Sequence, residues 1–383
     1  MFKRACLQLH WLIGISAGLV LAVIGLTGGM YSFSNEFIKL LDPQITSVNL
    51  PADSTRALTP AVLLARVSER APYVSSLTLS AKPDEAARVG FMKPVPGSDK
   101  KKFDLQYLNP YTGELLGKPA SEDFFRQVLD LHRKLGLDET GKAITGAATL
   151  ALLLLILSGL YLRWPKTTAL NWRSWLYINR QLSGRDFLSN LHAVLGTCAI
   201  LAYLLFALTS LSWSYDWYRK GLNTLAGKDT TQTVKPAAKT SKTASASMPS
   251  QTDLDAVWNN FKAEVPHYRK LILLLPSGAG KSAATVQILY LDTQAPHPYA
   301  NSRMVFDAAS GVLQSHERYA DKSLGAKLMA SLYALHSGSF FGTPGMLIMM
   351  LAALLLPVFA LTGWIMYLHR RRKKSPYAQP AKG

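Results

Sequence analysis

The chain has 383 residues, 49% of them hydrophobic, yet it carries a formal net charge of +18. That pairing is foreign to a soluble globular domain, so apolar and basic residues must be segregated along the chain. Its two cysteines, Cys6 and Cys198, lie far apart at or within apolar stretches, which excludes a disulfide framework, a CxxC metal site and a C-x-x-C-H haem attachment.

In chain order, four apolar stretches are long enough to cross a bilayer core of ~30 Å, which takes ~20 residues of helix. They are Trp11 to Phe33, Ala143 to Leu162, Leu188 to Ser214 and Met346 to Leu368. The first follows Lys3 and Arg4 but ends in "TGGMYSF", without an A-x-A-like site, and reads as an uncleaved anchor. In the long connection after it, "YLNPYTGELLG" (Tyr107 to Gly117) predicts a strand, a glycine turn and a second strand. "SEDFFRQVLDLHRKLG" then predicts a short helix capped by Ser121 and ended at Gly136, with Phe125, Val128, Leu129 and His132 on one apolar face.

The second long connection holds a polar, small-residue insertion, residues 229–250, expected to be flexible. "VFDAASGVLQS" (Val305 to Ser315) again predicts strand, turn and strand, with Ala308 and Ala309 where the first copy has Pro110 and Tyr111. A second short helix carries Leu328, Met329, Leu332 and His336 on one face and ends at Gly338. "PSGAGKS" (Pro276 to Ser282) is not a phosphate-binding loop, because Leu275 stands where that motif needs glycine. His267, His297 and His316 show no partner pattern and read as surface residues.

Lys and Arg accumulate on the cytoplasmic side of short loops. Lys3 and Arg4, then Arg163, Lys166, Arg173, Arg180 and Arg185, then Arg370 to Lys374 therefore point inward, with both termini cytoplasmic. The resulting segments are a first span at 1–33, an external module at 34–120, an interfacial helix and second span at 121–164, and a cytoplasmic loop at 165–186. A third span at 187–214, a second external module at 215–320, an interfacial helix and fourth span at 321–369, and a basic tail at 370–383 complete the chain.

The spans align in pairs. "LHWLIG" opens the first and "LHAVLG" the third, and His10 to Thr27 and His192 to Thr209 are both 17 residues. His132 to Ser158 and His336 to Thr362 are both 26. The chain thus reads as two tandem copies of helix, α+β module and helix, broken at about residue 180.

Ionisable residues at the edge of a bilayer are functional-site candidates by default. Four here form two matched pairs at two depths: His10 with His192 on the inner side, His132 with His336 on the outer side. Zinc usually takes three or four protein ligands, whereas haem iron needs one or two axial imidazoles within apolar walls. The pattern therefore points to two bis-histidine b-type haems, with Gly14 and Gly196 letting the flat ring approach the backbone. His369 lies at the same inner depth and stands as an alternative to His10 or His192.

Taken together, "LHWLIG…LTG", "YLNPYTGELL", "LHRKLG…LSGLYLRW", "LHAVLG", "VFDAASGVLQ" and "LHSG…LTGW" resemble the PepSY-associated transmembrane helix proteins, which include bacterial inner-membrane siderophore reductases of the ferrioxamine-reductase type. The resemblance covers nearly the whole chain. It implies a four-helix transmembrane bundle with two PepSY-like periplasmic modules, and a haem-dependent oxidoreductase that converts a ferric siderophore to Fe(II). A cytoplasmic or quinol electron donor and a lipid bilayer are the other expected partners, and no nucleic acid. No dinucleotide-binding G-x-G-x-x-G follows a strand, so nicotinamide or flavin chemistry is expected in a partner. The substrate is expected between the two modules, above the outer pair, where Trp213, Tyr215, Trp217, Tyr218, Phe340 and Phe341 line a mouth or form an interfacial belt. The competing expectations are a non-catalytic binding or regulatory protein and a haem electron-transfer subunit with no substrate of its own.

Overall fold

A computed structural model describes residues 1–50, 57–68, 74–94, 101–164, 172–227, 251–276 and 285–372. The 229–250 insertion, most of "PSGAGKS", Lys166, Lys373 and Lys374 lie outside the described residues.

The first half of the chain runs α1 (Phe2–Tyr31), α2 (Ser34–Leu41), α3 (Pro43–Thr46), α4 (Pro60–Ser68), β1 (Val74–Ser80), β2 (Ala87–Pro94), β3 (Lys101–Leu108), β4 (Leu115–Gly117), α5 (Ala120–Lys134) and α6 (Asp138–Arg163). The second half runs α7 (Trp172–Leu176), α8 (Gly184–Ser214), α9 (Asp216–Leu225), α10 (Gln251–Glu264), β5 (Lys270–Leu274), β6 (Thr285–Leu291), β7 (Asn301–Asp307), β8 (Leu313–Glu317), α11 (Leu324–Ser337), a 3-10 turn (Ser339–Phe341) and α12 (Gly342–Arg372).

Helices α1, α6, α8 and α12 are each long and apolar enough to cross a membrane. They extend past the apolar stretches at one or both ends, because a backbone ladder satisfies its own hydrogen bonds in water and in hydrocarbon alike. Large apolar side chains on their outer faces are bare, including Leu19 at 70%, Leu201 at 77% and Leu361 at 63% exposure. Such faces suit lipid and not water, and the chain is a multi-pass membrane protein.

One compact unit, Met1–Ser34 with Phe125–Leu222 and Leu332–Gly383, holds the four-helix ring in the order α1, α6, α8, α12. Its seam between α1 and α12 is built on small residues, as close helix crossings in lipid require. A methyl built on Gly25 would lie 2.4 Å from the Ala353 carbonyl, and one on Gly29 would lie 2.6 Å from Leu354. Pro357, inside α12, lacks the N–H that would bond that Ala353 carbonyl, so the bare Gly25 backbone lies against a carbonyl deprived of its ladder partner.

The other unit, Asn35–Phe124 with Asn223–Ser331, contains a single antiparallel sheet of eight strands, ordered β4-β3-β2-β1-β5-β6-β7-β8. The segments expected to form separate modules are joined by β1 and β5, paired from Ser76 opposite Leu274 to Ser80 opposite Lys270. Helix α4 packs on α10, and Leu63, Leu64, Leu77, Phe91, Phe261, Ile288 and Phe306 share one core. The two modules are therefore continuous packed protein where β1 meets β5.

Both predicted turns form. Asn109 Oδ1 accepts from the Tyr111 and Thr112 amides, and Asp307 Oδ1 from those of Ala309 and Ser310. Gly113 (φ +71°) and Gly311 (φ +66°) take the left-handed conformation that closes each turn. The replacement of Pro110 and Tyr111 by Ala308 and Ala309 leaves this geometry intact.

Three local expectations need correction. Helix α5 starts at Ala120, and Asp42 Oδ2 accepts from both the amide and the hydroxyl of Ser121, so the carboxylate at that terminus comes from Asp42. On α11, Leu328 is 52% exposed, whereas Ser331 and Ala334 are buried; small side chains let that face pack closest. His297 is buried, with Nε2 2.9 Å from Ser331 Oγ and 3.1 Å from Tyr319 Oη, and His316 is half-buried against Tyr290 Oη at 2.8 Å. Only His267 is exposed as read, because the partners of the other two come from distant strands and helices.

Candidate functional site

The helical unit brings the four candidate imidazoles together as two pairs. His10 of α1 faces His192 of α8 with ring centres 6.5 Å apart, and His132 of α5 faces His336 of α11 at 6.3 Å. A metal–imidazole bond is about 2 Å long and the ring centre lies about 1.1 Å behind the ligating nitrogen, so two rings on opposite sides of one ion would have centres about 6.2 Å apart. Both pairs match that spacing. Among the described residues no group of three or more His, Cys, Asp or Glu gathers to hold a metal ion. Paired imidazoles suit a metal whose remaining donors arrive with a macrocycle.

The tautomer of each ring follows from its neighbours. His10 Nδ1 lies 2.8 Å from Ser158 Oγ, His192 Nδ1 2.7 Å from Thr362 Oγ1, and His336 Nδ1 2.8 Å from Thr209 Oγ1. Each hydroxyl donates its one proton back along its own helix: Ser158 to the Leu154 carbonyl, Thr362 to Val358, and Thr209 to Leu205. With its proton on that carbonyl the oxygen accepts, and a ring that donates to it from Nδ1 keeps its lone pair on Nε2. His132 reaches the same state through the Ile24 carbonyl, 2.9 Å from Nδ1, with Thr27 Oγ1 at 3.4 Å. A carbonyl can only accept, which leaves no ambiguity. Ligating histidines are characteristically held by such an outer-shell bond from the other ring nitrogen.

Burial lowers the His132 pKa, and burial together with the neighbouring His132 pushes His336 down to about 3. The pair therefore stays neutral at physiological pH, the state a ligand needs. His336 is also walled by Phe206 and Trp213, whose ring centres lie 5.2 and 5.3 Å away.

Glycines next to the hydroxyls make room for the rings. A methyl built on Gly28 would lie 2.9 Å from His132 Cε1, and one on Gly159 3.3 Å from His10 Cε1. These two were not singled out in the sequence, although "TG" and "SG" mark them. Gly14 and Gly196, expected to admit a flat ring, line a cavity of about 910 Å³ shared by His10 and His192. His369 is exposed on α12 and does not line that cavity, so the structure pairs His10 with His192 and leaves His369 out. Trp217 and Phe341 are 66% and 60% exposed, which suits a belt better than a pocket wall.

Four hydroxyl residues thus belong to the site, and the sequence exposed them only as landmarks. The offsets of 17 and 26 residues are the trace of His132 and His336 meeting Thr27 and Thr209, and of His10 and His192 meeting Ser158 and Thr362. A bis-histidine haem fits these residues by ring spacing, by tautomer and, at the His10 pair, by the cavity.

Comparison with known proteins adds one match. The family model described as the PepSY-associated TM region matches residues 7–370. Among curated proteins none matches the chain.

Proposed function

The chain belongs to the PepSY-associated TM region family, and from that premise we propose that it is a two-haem reductase of the bacterial inner membrane, passing electrons outward to a ferric siderophore and releasing Fe(II). The observation that carries the reading is the pair of imidazole pairs, with ring centres 6.5 and 6.3 Å apart and a polar partner at the Nδ1 of every ring, an arrangement that would suit His10 with His192 and His132 with His336 to hold one haem each. Equivalent hydrogen bonds in the two halves also support reading the chain as two tandem copies.

When bound, haem iron supplies reversible one-electron chemistry. The residues of this chain orient and isolate it. Ser158, Thr362, Thr209 and the Ile24 carbonyl fix ring orientation and raise imidazole basicity. Apolar helix faces flank the pairs, and the two pairs would divide a crossing of ~30 Å into shorter steps. Positive charge at the His10 end supports a cytoplasmic position for that end, where a soluble donor or quinol would deliver electrons. At the acceptor, hard anionic oxygens hold Fe(III) more tightly than Fe(II), so one added electron loosens the metal without altering the chelator.

Purified protein from haem-replete cells is expected to carry about two b-type haems per chain and, once reduced, to convert a ferric hydroxamate to Fe(II) scavenged by a colorimetric chelator. A haem-free preparation would replace this reading with a binding or regulatory one. Haem that is reducible but leaves the ferric chelate untouched would make the chain an electron-transfer subunit.

A further inference from the structure

The cavity around His10 and His192 has a feature that axial ligation does not use. Its wall is apolar near the imidazoles, with Gly14, Gly18 and Gly196, but its lining also includes Lys3, Arg4, Arg163, Arg185 and Arg370 against the single acidic Asp186. These cations come from the ends of four different helices. A topology signal explains basic residues at one end of a bundle; it does not require them to converge on one cavity.

Two further observations point to an anion. Arg163 is held in place, its Nη2 donating to the Ser174 and Trp175 carbonyls at 3.2 and 3.0 Å, so that the guanidinium is presented as part of the wall. Trp11, stacked on Tyr367 with ring centres 5.3 Å apart, also lines the cavity, and its Nε1–H is buried without an acceptor. A buried donor without a partner is destabilising and marks a place where an acceptor is missing. The volume of about 910 Å³ lies within the range of cavities that enclose a whole cofactor.

We propose that this basic rim grips the two carboxylates of the macrocycle ligated by His10 and His192, with Arg163 as the principal contact, Arg4, Arg185 and Arg370 as supporting cations, and Trp11 Nε1–H as a neutral donor. The inference rests on the haem reading above and adds the polar half of the site. It also sets the orientation: the carboxylates point to the basic end of the bundle and the apolar edge points inward. Arg is suited to the task because its fork matches a carboxylate and stays charged.

The test uses full-length protein carrying His336→Ala, so that a bis-histidine spectrum reports the His10 site alone. The haem-free protein is titrated with protohaem and with its dimethyl ester, which keeps the iron and ring but has no carboxylates. Protohaem is expected to bind at least tenfold more tightly than the ester. Arg163→Gln should remove most of that difference while leaving ester binding unchanged, and should lower the midpoint potential, because an unpaired carboxylate favours the ferric state. Trp11→Phe should reproduce the affinity effect on a smaller scale. Because Arg163→Gln also loosens α7 and can impair folding, Arg370→Gln is read in parallel, with an effect expected in the same direction and of smaller size. Equal affinity of the two ligands for the unsubstituted rim would overturn the proposal while the bis-histidine spectrum still upheld ligation. Absence of that spectrum with either ligand would instead sink the haem reading itself.

Discussion

The two imidazole pairs share one chemistry and differ in scaffold. His10 and His192 stand on the membrane helices themselves, both held by hydroxyls, around an open cavity with a basic rim. His132 and His336 stand on the short helices α5 and α11 that precede α6 and α12; one of them uses a backbone carbonyl, and the other is pressed against Trp213 and Phe206. Ring spacing is nearly the same, 6.5 and 6.3 Å, although the supports are not. What the two ends share is therefore the spacing of the paired rings, and the surroundings are what each end varies.

The hardest way to break this comparison is to remove one pair. His192→Ala or His132→Ala should each halve the haem content and abolish reduction of an external ferric chelate, while the remaining pair keeps its reduced-minus-oxidised spectrum. A variant that retained both haems would show that the pairs are not the ligands. The next largest effect is steric. Gly28→Val should displace the His132 ring, which a methyl there would approach to 2.9 Å, and empty that site while sparing the His10 site. Haem counting with spectral deconvolution reads the difference, and equal loss at both sites would indicate general unfolding.

A finer probe removes only the outer-shell bond. Thr209→Val and Thr362→Val should each keep haem but weaken it about 10–100-fold and raise the potential of the site they touch, since an imidazole that has lost its Nδ1 acceptor is a poorer donor to ferric iron. Redox titration of each variant checks whether the shift stays with its own pair. The smallest effect is on pH. The pKa of His336 is depressed to about 3, so the unfolded chain takes up its proton first, and haem-free protein should lose thermal stability as pH falls from about 6.5 toward 3. His336→Asn should flatten that slope; an unchanged slope would place its origin elsewhere.

Much of the fold was legible because membrane helices declare themselves by composition. The four spans were found, with ends that extend beyond the apolar stretches, and the two glycine turns at Gly113 and Gly311 form as read. The site was legible as a set of histidines at matched offsets. Its polar supports were not, because a Ser or Thr in an apolar helix looks the same whether it bonds only its own i−4 carbonyl or also receives an imidazole from another helix. The burial of His297 is hidden in the sequence for a related reason: its acceptability in the core depends on Tyr319 and Ser331, which only folding brings to it.

By itself, the amino-acid sequence determined the four crossings, the polarity of charge between the two sets of helix ends and the candidacy of His10, His132, His192 and His336, since each follows from local composition or from spacing along one chain. Tertiary structure decided three things that depend on helices far apart in sequence. It chose His192 over His369 as the neighbour of His10, it gave all four Nδ1 atoms polar partners on other helices, and it joined two strand segments into one sheet through β1 and β5. Pairings of this kind are set by packing across the fold, which brings rings distant in sequence to a spacing of 6.3 to 6.5 Å.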